Sequence, residues 1–391
     1  MEIPRLMPFF LLSIACGVNA VFAASPSLTT SATPGDRAAQ MAYSYCFYVR
    51  KTLWPTGLSP FYEFPGSFGW RQPQVLLDAL FVVAGAVFVF VIRNRSRGAA
   101  VALACYVILL LPVSGISPRG PQLVADRYAY IATIPLFALL AFGIARAWKS
   151  ASRPLVAATV VIIAISAAMT RVQLDYWSNP VKLWNRALAL DSHNGTAHAN
   201  LGQALETIGR DDDAIREYQT ALRIRATHPN MHRALASVFN RKGRLEEALV
   251  EYQEDIRQNP DRASSRYYLG TVHERLGHPE EAAEQFRAAL AVDPGYSLAE
   301  VGLARLLLRQ SDERHAEPHL RRTLELDGRN TEALELLAQV CRNTGRTAES
   351  AVLYDRLIEE ARRRGRLDVV KELEPIRASL GAGSTSAPTR P

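Results

Sequence analysis

The sequence predicts an all-α chain in two parts, a transmembrane helix bundle followed by an α-solenoid. Three observations carry this. Apolar runs long enough to cross a bilayer crowd residues 1–170. Arginines cluster in the short links between them. From about residue 180 a helical pattern repeats every 34 residues.

The apolar runs are Pro8–Ala24, Val75–Ile92, Ala99–Ile116, Tyr128–Trp148 and Leu155–Met169. Inside lipid the backbone must satisfy itself, so each is expected to be a helix. Pro112 and Pro135 fall within two of them and predict kinks or broken turns. The first run, residues 1–24, reads either as a secretory signal ending at Ala23 and Ala24 or as a first transmembrane helix. Residues 25–74 then form an extracytoplasmic loop, and four transmembrane helices occupy 75–170.

Orientation follows from charge. The first 178 residues hold 14 Lys/Arg against 6 Asp/Glu; the remainder holds 31 against 32. The net charge of +7 therefore belongs to the apolar half, which argues against a nucleic-acid partner. Arg93, Arg95 and Arg97 fill one short link, and Arg146, Lys149 and Arg153 another. The positive-inside rule puts both links in the cytoplasm. Alternation then puts residues 25–73, residues 117–127 and everything after 170 outside. Trp70, Trp148, Tyr176 and Trp177 sit at segment ends, where interfacial aromatics belong.

The repeat half is regular. Leu201-Gly202, Leu235-Ala236, Leu269-Gly270, Leu303-Ala304 and Leu337-Ala338 recur in step. Ala214, Ala248, Ala282, Ala316 and Ser350 follow in the same register, then Tyr218, Tyr252, Phe286, Leu320 and Tyr354. The turn position reads Gly209, Gly243, Gly277, Ser311 and Gly345. Small residues allow two helices to cross closely, and the large side chain fills the gap to the next pair. This pattern is that of the tetratricopeptide repeat (TPR). Five repeats start near 195, 229, 263, 297 and 331, within a solenoid spanning 180–362; residues 363–391 are a capping helix and a disordered tail. Trp184–Leu188 reads as the second helix of an earlier, degenerate repeat.

Candidate chemistry is sparse. Cys16, Cys46, Cys105 and Cys341 have no metal or redox spacing, and the histidines lie at unlike solenoid positions, so no metal is expected. No phosphate loop, GxSxG or nucleophile–base set is present, so the catalytic residues are unknown. Asp126 and Arg127 read in two ways. They are a carboxylate and a guanidinium at the mouth of a membrane cavity, with Arg127 on a lipid phosphate, or a helix N-terminal Asp and an interfacial Arg. Arg50 and Lys51 either meet phosphate or anchor an amphipathic segment at the headgroups of membrane lipid. The inner face of the solenoid includes Gln203, Glu206, Arg233, Ser237, Asn240, Tyr267, Thr271, Glu274, Arg305, Gln339 and Arg342. Polar and mixed in charge, it suits an extended extracytoplasmic polypeptide, or else is simply solvated.

Lys51-Thr52-Leu53-Trp54-Pro55-Thr56-Gly57-Leu58-Ser59-Pro60-Phe61-Tyr62 resembles a K-x-L-W-P-x-x-L-x-x-x-Y segment of the transmembrane and tetratricopeptide-repeat proteins. Ala125–Tyr130 and Tyr176–Pro180, followed by Leu183-Trp184, resemble the same family in the same order. The family resembles multi-span glycosyltransferases of the O-mannosyltransferase type that use a polyprenyl-phosphate sugar. The resemblance implies that lipid-linked donor, an outward site and an outward repeat domain. The family's acidic motif in the first outer loop has no counterpart here, and residues 1–24 look like one of its internal helices. The resemblance thus implies a C-terminal portion lacking the catalytic acidic loop. The alternative is a membrane-anchored, non-enzymatic TPR scaffold.

Overall fold

A computed structural model describes residues 33–63, 69–114, 122–126, 129–148, 153–225 and 230–382. Residues 1–24, Arg127 and the end of the tail lie outside the described residues. The chain divides into two units, Met1–His228 and Pro229–Pro391.

The first unit opens with α1, Pro34–Leu53, inside the stretch expected to be a loop. Thr33 caps it: its hydroxyl accepts from the Asp36 N–H, and the Asp36 carboxylate accepts from the Thr33 N–H. One face of α1 is buried through Ala39, Ala42, Cys46, Phe47 and Tyr48. The helix ends beside Pro55, which disfavours helical geometry in the residue before it. Next come α2 (Pro73–Ile92), α3 (Arg97–Leu110), α4 (Ala129–Trp148) and α5 (Arg153–Trp177).

Among the described residues, three helical stretches are long and apolar enough to cross a membrane: Pro73–Ile92, Ala129–Arg146 and Val156–Trp177. Leu77, Phe81, Val87, Phe90, Ile131, Phe142 and Ile162 are all more than half exposed, an apolar surface of the kind that a membrane or a partner covers. The expected span Ala99–Ile116 is shorter. Its α-helix has 14 residues and passes into a single 3-10 turn, Leu111–Val113. Pro112 lacks the N–H that would continue the α ladder. At 1.5 Å per residue the α part reaches only about 21 Å of a core roughly 30 Å thick. Pro135 lies inside α4, which runs on through it.

One feature departs from an all-helical chain. β1 (Tyr62–Glu63) pairs antiparallel with β2 (Gln122–Val124), bringing Tyr62 opposite Val124. The pairing ties the loop after α1 to the segment before α4. Phe47, Tyr48, Tyr106, Leu110, Val124 and Ala132 form the core around it.

After α5 the chain resumes helix almost at once. α6 (Pro180–Leu190) starts behind Asn179, whose side chain accepts from the Val181 and Lys182 N–H groups at 2.9 and 3.1 Å. α7 (Gly195–Thr207) and α8 (Asp211–Ile224) complete the first full repeat. A Cβ on Gly202 would lie 2.6 Å from the Tyr218 ring, so the residue must be glycine.

The second unit pairs α9 (Met231–Arg241) with α10 (Leu245–Gln258), α11 (Ala263–Leu276) with α12 (Pro279–Val292), α13 (Ser297–Arg309) with α14 (Glu313–Leu326), and α15 (Thr331–Asn343) with α16 (Thr347–Arg363). α17 (Leu367–Ala382) packs on α16 and closes the apolar core through Val370, Leu373 and Leu380. Cys341 is fully buried there as a small core residue. Between α10 and α11, Asp255 is 1% exposed and is held by Arg262 at 2.8 Å, by the Ser265 hydroxyl and by Asn259.

In four of the five helix pairs the turn is made by a left-handed glycine; in α13–α14 Ser311 takes φ 62°. A side chain in that region costs about 1–2 kcal/mol, partly returned by the lower unfolded-state freedom of a non-glycine. Ser311→Gly is therefore expected to stabilise the second unit by up to about 1 kcal/mol, raising its melting temperature by roughly 2–4 °C. A lower melting temperature would contradict this account of the turn.

Candidate functional site

The membrane-side candidates meet at one end of the first unit. Arg50 and Lys51 are neighbours on α1, about 100° apart around the helix, and go to different partners. Arg50 Nη1 donates to Asp78 Oδ1 at 3.1 Å, and Gln74 Nε2 donates to the same oxygen at 3.1 Å. Asp78, on the first turns of α2, is thus the anion that holds Arg50. Lys51 Nζ donates to the carbonyls of Thr56 and Gly57 at 2.6 and 2.8 Å. It also lies 5.6 and 5.7 Å from the ring centres of Phe47 and Tyr62. Burial pushes the Lys51 ammonium below its ordinary value, against the pull of Asp126.

Asp126 is 7% exposed. Its Oδ2 accepts from the Ser59 N–H at 2.8 Å and from the Tyr62 hydroxyl at 3.0 Å. Its Oδ1 is buried with no hydrogen-bond partner among the described residues. Burial raises the Asp126 pKa, and the Ser59 and Tyr62 hydrogen bonds and the Lys51 charge only partly offset it. The same burial, with Asp126 beside it, raises the Tyr62 phenol. The loop 54–63 is therefore wrapped between an ammonium and a carboxylate. Chemically the nest offers one proton-accepting oxygen, Asp126 Oδ1.

A cavity of about 390 Å³ opens between α1, α2, α3 and α4, lined by Val49, Phe81, Val89, Leu103, Tyr106 and Leu136. Its surface is almost wholly apolar, so it suits hydrocarbon rather than sugar. The loop 54–63 also meets the start of the repeats. Asn194 Nδ2 lies 3.5 Å from the Phe61 carbonyl, and Leu190 packs at Gly57.

The inner-face residues fare differently from one another. In the first unit, Gln203 is exposed on α7 and Glu206 accepts from the Tyr218 hydroxyl at 2.8 Å. In the second unit, Arg305 is held twice by Glu274, at 2.9 and 2.8 Å, and by Glu332 at 2.5 Å. Glu274 first, then Glu332, raise its pKa further. Arg309 joins Glu274 at 2.9 Å. Asn240 is covered by Arg275, the Thr271 hydroxyl bonds back to Tyr268, and Gln339 reaches Glu335 at 3.4 Å.

Arg233 and Tyr267 stand apart. Tyr267 has ring contacts with Tyr268 at 5.2 Å, Phe286 at 5.6 Å and Tyr296 at 5.7 Å. Tyr268 stacks on Tyr252 at 5.9 Å. Arg233 lies within electrostatic range of Tyr252 and Tyr296, and its Nε is buried without a hydrogen-bond partner among the described residues. Sequence reading missed Tyr268 and Tyr296. The Tyr267-Tyr268 doublet was the available signal; Tyr296 precedes its helix, where inner-face spacing does not reach.

The sequence signature of the tetratricopeptide repeat matches residues 181–229, 212–256, 236–277, 263–296 and 301–364. The repeats are tetratricopeptide repeats. The chain is also similar to a group of curated proteins. Protein O-mannosyl-transferase TMTC1 of Mus musculus is 26% identical over 140 residues, 35% of this chain and 15% of the relative. Protein O-mannosyl-transferase Tmtc3 of Drosophila melanogaster is 24% identical over 205 residues, 48% and 22% respectively. Protein O-mannosyl-transferase TMTC4 of Homo sapiens is 29% identical over 127 residues, 32% and 17%. The chain spans less than a quarter of the length of these relatives. The resemblance drawn from the three membrane-side motifs points to the same group that this partial similarity does. Among solved structures, MamA is 17% identical with a TM-score of 0.39, covering 42% of this chain and 97% of its own. YrrB, described as a TPR protein with an unusual peptide-binding site, is 16% identical with a TM-score of 0.38, covering 46% and 93%.

Proposed function

We propose that this chain is a membrane-anchored TPR protein whose solenoid stands on the non-cytoplasmic side and holds a polypeptide there, in the manner of a protein glycosyltransferase that uses a lipid-linked sugar. One observation supports it most. The loop 54–63, β2 with Asp126, the start of α2 and the start of the repeats share one end of the first unit, and charge counting assigns all of them to the outside. The apolar cavity among α1, α2, α3 and α4 fits the tail of a polyprenyl-phosphate donor, and Arg127 is the residue in this chain proposed for its phosphate. Transfer would displace phosphate at the anomeric carbon, with a carboxylate taking the acceptor hydroxyl's proton.

A second reading is a scaffold without catalysis. It is favoured by Asp126 Oδ2 and the Lys51 ammonium, both of which are engaged within the loop they hold. Both readings need the same orientation. A reporter that fluoresces only in the cytosol, fused after Pro391, is expected to stay dark while an epitope tag detected by immunoblot confirms expression. Bright signal would overturn the orientation, and with it the partner and the donor.

A further inference from the structure

Asp78, Val82, Gly85 and Val89 recur at three- and four-residue steps and so share one face of α2. Val82, Gly85 and Val89 line the apolar cavity between α1, α2, α3 and α4. Asp78 precedes Val82 by one turn, so the Arg50–Asp78 pair closes one end of that cavity. The cavity is a groove open sideways: Phe81 and Phe88 on its rim are 55% and 57% exposed. Gly85 gives it depth, since a Cβ there would meet nothing within 4 Å. The hydroxyls on its walls are already spent. Thr52 and Tyr106 pair at 3.3 Å, and Tyr45 donates to the Val107 carbonyl at 2.9 Å. At the Asp78 end the chemistry changes. The Arg50 side chain is half exposed and gives Nη1 to Asp78, and its other N–H groups have no hydrogen-bond partner among the described residues.

We infer that the groove and Arg50 form a site for one phospholipid, an acyl chain lying in the groove and the phosphate accepting from the remaining N–H groups of Arg50. Length selects this occupant. From Asp78 to Val89 the groove runs about 16 Å at 1.5 Å per residue, close to one leaflet of a hydrocarbon core roughly 30 Å thick. An acyl chain fills that length, whereas a polyprenyl tail overruns it. The groove takes hydrocarbon because its wall hydroxyls are satisfied, and a guanidinium presents the planar donor fork that a phosphate matches. A bilayer also supplies phospholipid in large excess over any lipid-linked sugar. A donor tail therefore enters this groove only by displacing the resident chain.

This inference rests on the reading of the first unit as membrane-embedded, and the test separates the two. The full chain in phosphatidylcholine nanodiscs is irradiated with phosphatidylcholine carrying a diazirine midway along one acyl chain, and adducts are mapped by mass spectrometry. Adducts are expected to concentrate on the groove-lining turns of α2 and α3, well above those on the equally apolar α5. Gly85→Phe fills the groove and should cut the groove adducts about tenfold while leaving α5 labelling unchanged. Val89→Phe, which narrows the far end, should cut them too, so a misfolded first variant does not decide the question. In Arg50→Gln, Gln74 still holds Asp78. That variant should lower phosphatidylcholine labelling of the groove about tenfold and leave labelling by the matching diacylglycerol, which has no phosphate, unchanged. Arg50→Lys should restore part of the loss. Even labelling of α2, α4 and α5, unmoved by Gly85→Phe, would leave the membrane reading standing and overturn the site. Absence of labelling on every helix would overturn the membrane reading itself. If an equimolar amount of undecaprenyl phosphate removes the groove adducts, the groove belongs to the donor and the phospholipid assignment is overturned.

Discussion

Replacing Gly270 by leucine is expected to lower the stability of the second unit by about 1–3 kcal/mol. The crossing of α11 over α12 leaves no room for a side chain. A Cβ at Gly270 would lie 2.6 and 2.7 Å from the Phe286 ring and 3.2 Å from the Ala282 carbonyl oxygen. The ring cannot simply retreat, because its far edge is set against Gly302 on α13, where a Cβ would meet it at 2.9 Å. Overpacking must therefore displace two neighbouring repeats. Gly270→Ala should do the same less severely. Val250→Ala, at a side chain 60% exposed, should change little. Thermal melting followed by circular dichroism checks all three, and an unchanged melt for Gly270→Leu would mean the repeat register is misassigned.

Asp126 provides the second large effect, and a pair of variants splits its two possible duties. Asp126→Ala removes the acceptor for the Ser59 N–H and the Tyr62 hydroxyl, two donors that have little water to turn to. We expect a loss of about 2–3 kcal/mol in the first unit. Asp126→Asn keeps a carbonyl oxygen where Oδ2 stands, so the loop should stay docked. The pH response fixes the sign. Burial raises the Asp126 pKa, so the folded state holds this proton more tightly than the unfolded state does. That contribution is fullest below the unfolded carboxyl pKa and is lost as pH rises through the folded value. Asp126→Asn should remove this decline, making melting temperature flatter across the acid range than in the parent. If Asp126 is the base of a transfer reaction, Asn abolishes transfer with the fold intact. If it only fastens the loop, Asn retains transfer and Ala loses it.

The repeat half was readable because its contacts are local and periodic. Gly202 meets Tyr218 and Gly270 meets Phe286 at the same spacing in each pair, so five copies announce one geometry. The left-handed turns were readable for the same reason, down to the Ser311 exception. The membrane half was readable only as far as composition reaches. Composition did not say that the α-helix gives way to a 3-10 turn at Pro112 while α4 runs on through Pro135. The Tyr-rich face of α1 was hidden in a stretch that carries too many polar residues to look like a span and no repeat to mark it. Partners far apart in the chain were hidden too. Arg50 finds Asp78 across 28 positions, Asp126 finds Ser59 across 67, and Arg305 finds Glu274 across 31. Nothing periodic links such pairs; packing does.

The join at Ser178 and Asn179 has a mechanical corollary. Helix stops for two residues only, and both sides are braced: Asp175 grips Lys182 at 2.9 Å, and Arg186 leans over the Tyr176 ring at 5.6 Å. A bracket so short has no slack to take up. Any pull on the first repeat passes directly to α5 instead of being spent on straightening a tether.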